Sequence, residues 1–256
     1  MTFDLDDIAG LQLEDLIDES PYEYNGKFVP RVTHILSKMI EEPGIRQWAN
    51  SLGFKHKSYT EQLKIFADLG SRAHNSMEKI ANKDFKNGQI EYDLEPVQAF
   101  CIWWNQLVNA GVKVLGTEKK LVNDLYGGTY DLLMKVNNKI WLVDYKTSNY
   151  ITYKYFLQLA AYRKILREEY NINLDGCLIL QLSKYSVAYR EWIIDLHNIN
   201  HYNYMDICER TFLSLAYGYY HTIYLEKVFQ NEWGKAISDY KISEEIRPAV
   251  LTTTSS

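Results

Sequence analysis

The sequence predicts an α/β chain of the α+β kind, with helices flanking a three-stranded antiparallel meander and a following helix–strand unit, not a doubly wound sheet. Three observations predict it. Up to about residue 110 the apolar residues recur at helical spacing, as in Leu63, Phe66, Ala67, Ala73, Met77 and Ile80. From 112 to 148 they alternate as strands do, with a break at Asn137-Asn138. After another helical stretch, the short apolar run GCLILQL at 176–182 reads as a strand. Neither GxGxxG nor GxxxxGK[ST] occurs, so no dinucleotide fingerprint or P-loop motor is encoded.

Taken in order, residues 1–20 are acidic and weakly periodic, and read as a frayed helix or a disordered lead. Pro30 precedes Val32-Thr33-His34-Ile35-Leu36, where Thr33 is a candidate cap for a short helix. A second helix follows Pro43-Gly44 and runs through Trp48 to about Leu52. The stretch from Thr60 to Asn82 is one long helix, or two with a break at Gly70. Glu95 to Ala110 is a further helix, carrying Phe100, Trp103, Trp104 and Leu107. The meander comprises 112–122, 127–136 and 139–148, and Asn137-Asn138 supplies the positive φ that a two-residue hairpin turn requires. A helix from about Tyr153 to Glu169, strands at 176–182 and 189–195, a long Tyr-rich helix over about 199–229 and a polar tail complete the chain.

The 256 residues suit one elaborated domain with a full core. The N-terminus is acidic and lacks a basic segment followed by an apolar run, and no apolar stretch is long enough to span a bilayer. Cys101, Cys177 and Cys208 are scattered and form no CxxC, which fits a reducing compartment. A cytoplasmic protein with no membrane partner is expected. The net charge of −5 excludes a chain that coats nucleic acid by bulk charge. Any such site must be a local patch or be built around bound cations.

The chemistry concentrates at WLVDYKTS, residues 141–148. Asp144 and Lys146 are two apart on a strand and project from the same face, with Tyr145 on the other. A turn at Asn137-Asn138 makes Val136 the partner of Lys139 and, counting back, Asp131 the partner of Asp144. Neighbouring carboxylates repel, and a lysine offsets only part of the cost. A hard divalent cation between them removes it, polarises a phosphoryl oxygen and lowers the pKa of a bound water. Gln158 and Tyr162 are four apart on the next helix, and His74 and Glu78 four apart on an earlier one, so each pair shares a face.

Gly128-Thr129-Tyr130-Asp131, Asp144-Tyr145-Lys146-Thr147-Ser148 and Gln158-Leu159-Ala160-Ala161-Tyr162, in that order on strand, strand and helix, resemble the PD-(D/E)XK nuclease superfamily. The branch they most resemble holds the RecB nuclease domain and the Cas4-type exonucleases. Gly70-Ser71-Arg72-Ala73-His74 with Glu78 is similar to the upstream helix motif of that branch, and Val32 to Leu36 with Trp48-Ala49 resembles phage-encoded members. The main likeness spans residues 116–165, with a second patch near 69–78.

The resemblance implies a restriction-endonuclease-like core over 61–196, a helical extension over 1–60, and a C-terminal helix and tail over 197–256. It implies that His74, Asp131, Asp144 and the backbone carbonyl of Tyr145 ligate Mg²⁺ or Mn²⁺. Lys146 would position the attacking water or steady the scissile phosphate, and Gln158 and Tyr162 would hold DNA or the lysine side of the site. Three scattered cysteines cannot supply the four that iron–sulfur members use, so no such cluster is expected. The implied partners are single-stranded DNA or duplex ends, and a recombination or replication protein.

Glu118 is expected as a structural or outer-shell carboxylate, with reach to the metal as the alternative. Trp103, Trp104 and the Tyr-rich helix are expected in the core. Lys55-His56-Lys57 and Arg163, Lys164 and Arg167 are expected on solvated faces, and are the candidates for phosphate contacts. Gln181 and Lys184 receive no role. The resulting expectation is a metal-dependent deoxyribonuclease, an exonuclease of phage or bacterial DNA replication, recombination or repair. Its rivals are a catalytically silent DNA- or protein-binding module on the same fold, and a metal-dependent hydrolase on another fold.

Overall fold

The computed structural model of the protein describes residues 21–233 apart from positions 42 and 87. The acidic lead at 1–20 and the polar tail after 233 lie outside the described residues. The first described element is a hairpin, β1 (Tyr22–Tyr24) and β2 (Lys27–Val29), which the sequence pattern does not predict. Asn25 and Gly26, with φ of 50° and 78°, form its turn. Asn-Gly is the strongest short hairpin signal, but the flanking strands have only three residues each and show no clear alternation.

Four helices follow: α1 (Val32–Met39), α2 (Pro43–Phe54), α3 (Tyr59–Asn82) and α4 (Glu95–Asn109). The α3 helix runs unbroken through Gly70, and its first turn is capped by Ser58, whose Oγ accepts from the Glu61 amide. Then come β3 (Lys113–Val122), β4 (Gly127–Val136), β5 (Lys139–Lys146), α5 (Tyr153–Glu168), β6 (Gly176–Leu182), β7 (Tyr189–Asp195) and α6 (Ile199–Trp233). Asn137 and Asn138 both have positive φ, 48° and 63°, in the turn between β4 and β5. Among the described residues no helix is long and apolar enough to cross a membrane.

The five long strands make one mixed sheet in the order β3-β4-β5-β6-β7, antiparallel except for the parallel β5–β6 pair. Both faces are covered. Leu133, Leu142, Cys177 and Ile179 pack with α1, α5 and α6. Leu132, Val143, Tyr145 and Leu178 pack with Ala73 and Met77 of α3 and with Phe100, Trp103 and Trp104 of α4. The core placement expected for Trp103 and Trp104 is therefore what the structure has. Alternation along β5 sends Val143 and Tyr145 to the second face, and so turns Asp144 and Lys146 toward the first.

Two glycines let chain segments close in around β4. A Cβ on Gly127 would stand 2.5 Å from the Tyr22 ring, and one on Gly128 would stand 2.2 Å from Tyr162 Cε1. Tyr162 is 3 % exposed, so its ring has nowhere to retreat. The glycine of one motif and the tyrosine of another are thus two halves of one packing contact. Gly128→Ala should destabilise the protein by about 1–3 kcal/mol, the usual range for overpacking. Adding Tyr162→Ala should recover part of that loss. Urea unfolding of the double-mutant cycle checks this, and additive losses would mean that the two positions do not meet.

Candidate active site

The β4–β5 ladder has the register expected from its turn, with Val136 opposite Lys139 and Leu132 opposite Val143, but it stops there. The direct Asp131–Asp144 pair expected from sequence is not formed. The reason is local: Asp131 Oδ2 accepts a hydrogen bond from the Tyr145 amide at 2.5 Å. The side chain takes the amide that would otherwise continue the ladder, so the strands part at the site. His74 approaches this opening from α3, with Nδ1 at 3.6 Å from Asp131 Oδ1 and its ring edge-on to Tyr145.

The third member of the cluster is Glu118. Thr117 and Lys119 pair with Leu132 and Tyr130, so Glu118 falls opposite Asp131. Its backbone is left-handed, with φ of 46°, a conformation that costs energy in a residue with a Cβ. One ligand atom from each of His74, Glu118 and Asp131 lies within 4.8 Å of the others. An imidazole nitrogen and two carboxylates are a suitable donor set for Mg²⁺ or Mn²⁺.

Asp144 is 3 % exposed and stands against Lys146, whose Nζ is 2.9 Å from Oδ1 and 2.7 Å from Oδ2. Only the Oδ1 contact has hydrogen-bond geometry, so Oδ2 is buried with its hydrogen-bonding capacity unspent. The Lys146 ammonium also lies 5.0 Å from the Tyr155 ring centroid. Gln158 Nε2 donates to Tyr162 Oη at 3.2 Å, so these two bond each other and bind α5 to β4 through the Gly128 contact. Glu78 Oε1 accepts from Thr117 Oγ1 at 3.4 Å, next to Glu118 in sequence.

The electrostatics follow from crowding. Burial and then the Asp131 charge push the Glu118 carboxyl up to about 7, although one flank of that residue faces solvent. Burial pushes Asp144 up, and Asp131 adds to this against the opposing pull of Lys146. Burial acts upward on Asp131 too, but His74, Lys146 and the Tyr145 amide outweigh it and hold this carboxyl below its ordinary value. Lys146 stays cationic: burial opposes the charge, and Asp144 and Asp131 more than restore it.

Arg163, Lys164 and Arg167, the expected phosphate contacts on α5, are already paired. Arg163 is 8 % exposed and bonds Glu209 on α6, Arg167 bonds Glu168 and Glu209, and Lys164 bonds Glu168. Arg163 and Arg167 thus lie not on a solvated face but at the α5–α6 interface, because Glu209 of α6 is buried there and requires cations. Lys55, His56 and Lys57 are exposed, as expected. Gln181, left without a role above, lies beside Lys146 in the sheet and donates to the carbonyls of Ser148 and Asn149 at 2.9 and 3.1 Å. It shapes the loop after β5. No local pattern marks it, since the carbonyls it donates to are 33 and 32 residues away and the indole that donates to it, Trp192, is 11 away.

Because the Glu118 carboxyl sits above its unfolded value, ionising it opposes folding. This cost is absent at low pH and grows as pH rises from about 4.5 to about 7. In metal-free protein, Glu118→Gln should therefore raise the Tm at pH 8 and change it little at pH 4. The same variant should show a smaller Tm rise on adding Mn²⁺ than the parent. Differential scanning calorimetry decides it, and an equal Mn²⁺ response in both proteins would remove Glu118 from the cation site.

No protein-family profile matches the chain, and no curated protein matches it. Among solved structures it is similar to SSO0001, with 13 % identity and a TM-score of 0.36 over 78 % of this chain and 82 % of that one. It is also similar to a phage-related exonuclease from Haemophilus somnus 129PT, with 12 % identity and a TM-score of 0.33 over 78 % of this chain and 96 % of that one. Superpositions this loose carry no functional argument, so any reading of function rests on the site itself.

Proposed function

We propose that this chain is a divalent-cation-dependent deoxyribonuclease of the PD-(D/E)XK type, with a restriction-endonuclease-like core, acting as an exonuclease in phage or bacterial DNA metabolism. The observation that carries the reading is the convergence of His74, Glu118 and Asp131 at the opening between β4 and β5, with the Asp144–Lys146 pair on the adjacent strand. Bringing that many carboxylates together, one of them buried, is costly unless a cation joins them.

Mg²⁺ or Mn²⁺ would be held by Asp131, His74 and Glu118, with Asp144 and the Tyr145 carbonyl as further donors. When bound, the cation polarises a phosphoryl oxygen and makes a nearby water more acidic. The remaining work falls to the chain. Asp131 is fixed by the Tyr145 amide and presents Oδ1 on the His74 side. Lys146 turns its ammonium from Asp144 to a non-bridging oxygen and stabilises the charge that grows on the phosphate. The Asp144 oxygens released by that turn become available as ligands. Gln158 and Tyr162 hold α5 against β4, and with it Tyr155, which lies beneath the lysine.

End-labelled linear DNA and circular DNA, single- and double-stranded, would be incubated with Mg²⁺, Mn²⁺ or EDTA. Metal-dependent loss of linear DNA alone is the expected result. Lys146→Gln should lower the rate about 10²–10³-fold, the usual effect of removing a group that stabilises transition-state charge. Gln is preferred to Ala because stranding buried Asp144 without a hydrogen-bonding partner endangers folding. Cutting of circles would make the protein an endonuclease at this site. A folded protein that binds DNA without cutting it would be the silent module instead.

A further inference from the structure

A groove of about 810 Å³ lies between α2, α3 and the loop that follows β5, and the chemistry above leaves it unused. Its lining is rich in exposed rings. Tyr150 is 82 % exposed, Tyr185 67 % and Tyr153 56 %, and Trp48 and Phe66 pack together along one wall. Large rings left facing water in one concave surface mark a place where something stacks.

The charges point to an anionic occupant. Lys184 lines the groove beside Lys154, which has an interaction of its own, and Glu41, its one carboxylate among the described residues, is bonded to Arg46 at 2.7 Å. Lys184 Nζ lies 4.1 Å from the Phe66 ring centroid and has no carboxylate partner among the described residues. In a chain of net charge −5, this is a local cationic surface.

The groove is continuous with the candidate active site. Phe66, Gly70 and His74 follow at intervals of four and so share one face of α3, about 12 Å from end to end. A Cβ on Gly70 would stand 3.5 Å from Thr147 Oγ1, so the loop after β5 runs against this same face. Tyr155 lines the groove and lies under Lys146. The wall is also preformed: Gln181 holds the Ser148 and Asn149 carbonyls, and Ser148 Oγ and Tyr155 Oη share a hydrogen bond of 2.9 Å.

We propose that this groove binds single-stranded DNA, with bases stacked on Tyr150, Tyr153 and Tyr185 and a phosphate beside Lys184, and leads the strand to Lys146. The assignment rests on the nuclease reading for the direction of travel, not for binding itself. A duplex is the poorer fit. Its base faces are already stacked, so protruding rings gain nothing from it, whereas unpaired bases stack on aromatic side chains whatever their sequence.

Fluorescence anisotropy in EDTA, where cleavage is not expected, would measure binding of a labelled oligothymidylate and of a duplex of equal length. Tyr150→Ala should weaken single-strand binding by about 5–100-fold, in line with the loss of one stacked base. Lys184→Gln should reduce the slope of log K against log salt by about 0.7, one phosphate contact on a single strand. Tyr170→Ala, beyond the far end of α5, should change neither. Parent-like binding by both groove variants would overturn the groove, and so would equal weakening of single-strand and duplex binding. Tighter binding of oligouridylate than of oligothymidylate would overturn the DNA assignment in favour of RNA. The nuclease reading fails separately: groove-dependent binding with no cleavage in Mg²⁺ would sink that reading and leave the groove standing.

Discussion

Carboxylates crowded together at an opening between two strands are the constraint on which the rest of this structure depends. Asp144 is almost fully buried, Asp131 lies just past the end of the β4–β5 ladder, and Glu118 faces Asp131 from β3. Buried Asp144 would be expensive alone, and together the three repel. The protein answers with the Lys146 ammonium for Asp144, and with the His74 imidazole and a backbone amide for Asp131. Glu118 has no ammonium partner among the described residues, and burial and then the Asp131 charge raise its pKa. The imbalance is a property of the cluster, not of any one side chain.

Much of the surrounding architecture keeps that arrangement in place. A sheet covered on both faces gives β5 two different environments, and strict alternation divides Asp144-Tyr145-Lys146 between them. Tyr145 is anchored in the α3–α4 layer beside Phe100 and His74, which fixes the amide that Asp131 takes. On the opposite side, α5 closes on β4 until Tyr162 fills the space that a side chain at Gly128 would need. The α5 helix is in turn held to α6 by Arg163 and Arg167 around Glu209. A buried pair of this kind adds little net stability but is costly to break, so it serves to fix the relative position of the two helices.

The α3 helix links chemistry to surroundings. One of its faces passes from the aromatic groove at Phe66, through a close approach to the loop at Gly70, to His74 at the cluster. Its continuity through Gly70 matters for this reason, since a break there would separate the groove from the site.

Local patterns in the sequence were enough to determine the type and approximate limits of nearly every long element. They also determined the Asn137-Asn138 turn and the register that brings Asp131 to the end of its ladder. Periodicity and turn chemistry act over a few residues, and a few residues suffice to read them. The short Asn25-Gly26 hairpin was legible too, but its strands were too brief to carry a period. Tertiary structure alone decided which strands became neighbours, that Glu118 would adopt a left-handed backbone opposite Asp131, and that Arg163 would be buried. It likewise decided that Gln181 and Lys184 would shape and charge a groove. Those outcomes depend on contacts between segments tens of residues apart, created when two helical layers close on one sheet, and no local spacing in the chain encodes them.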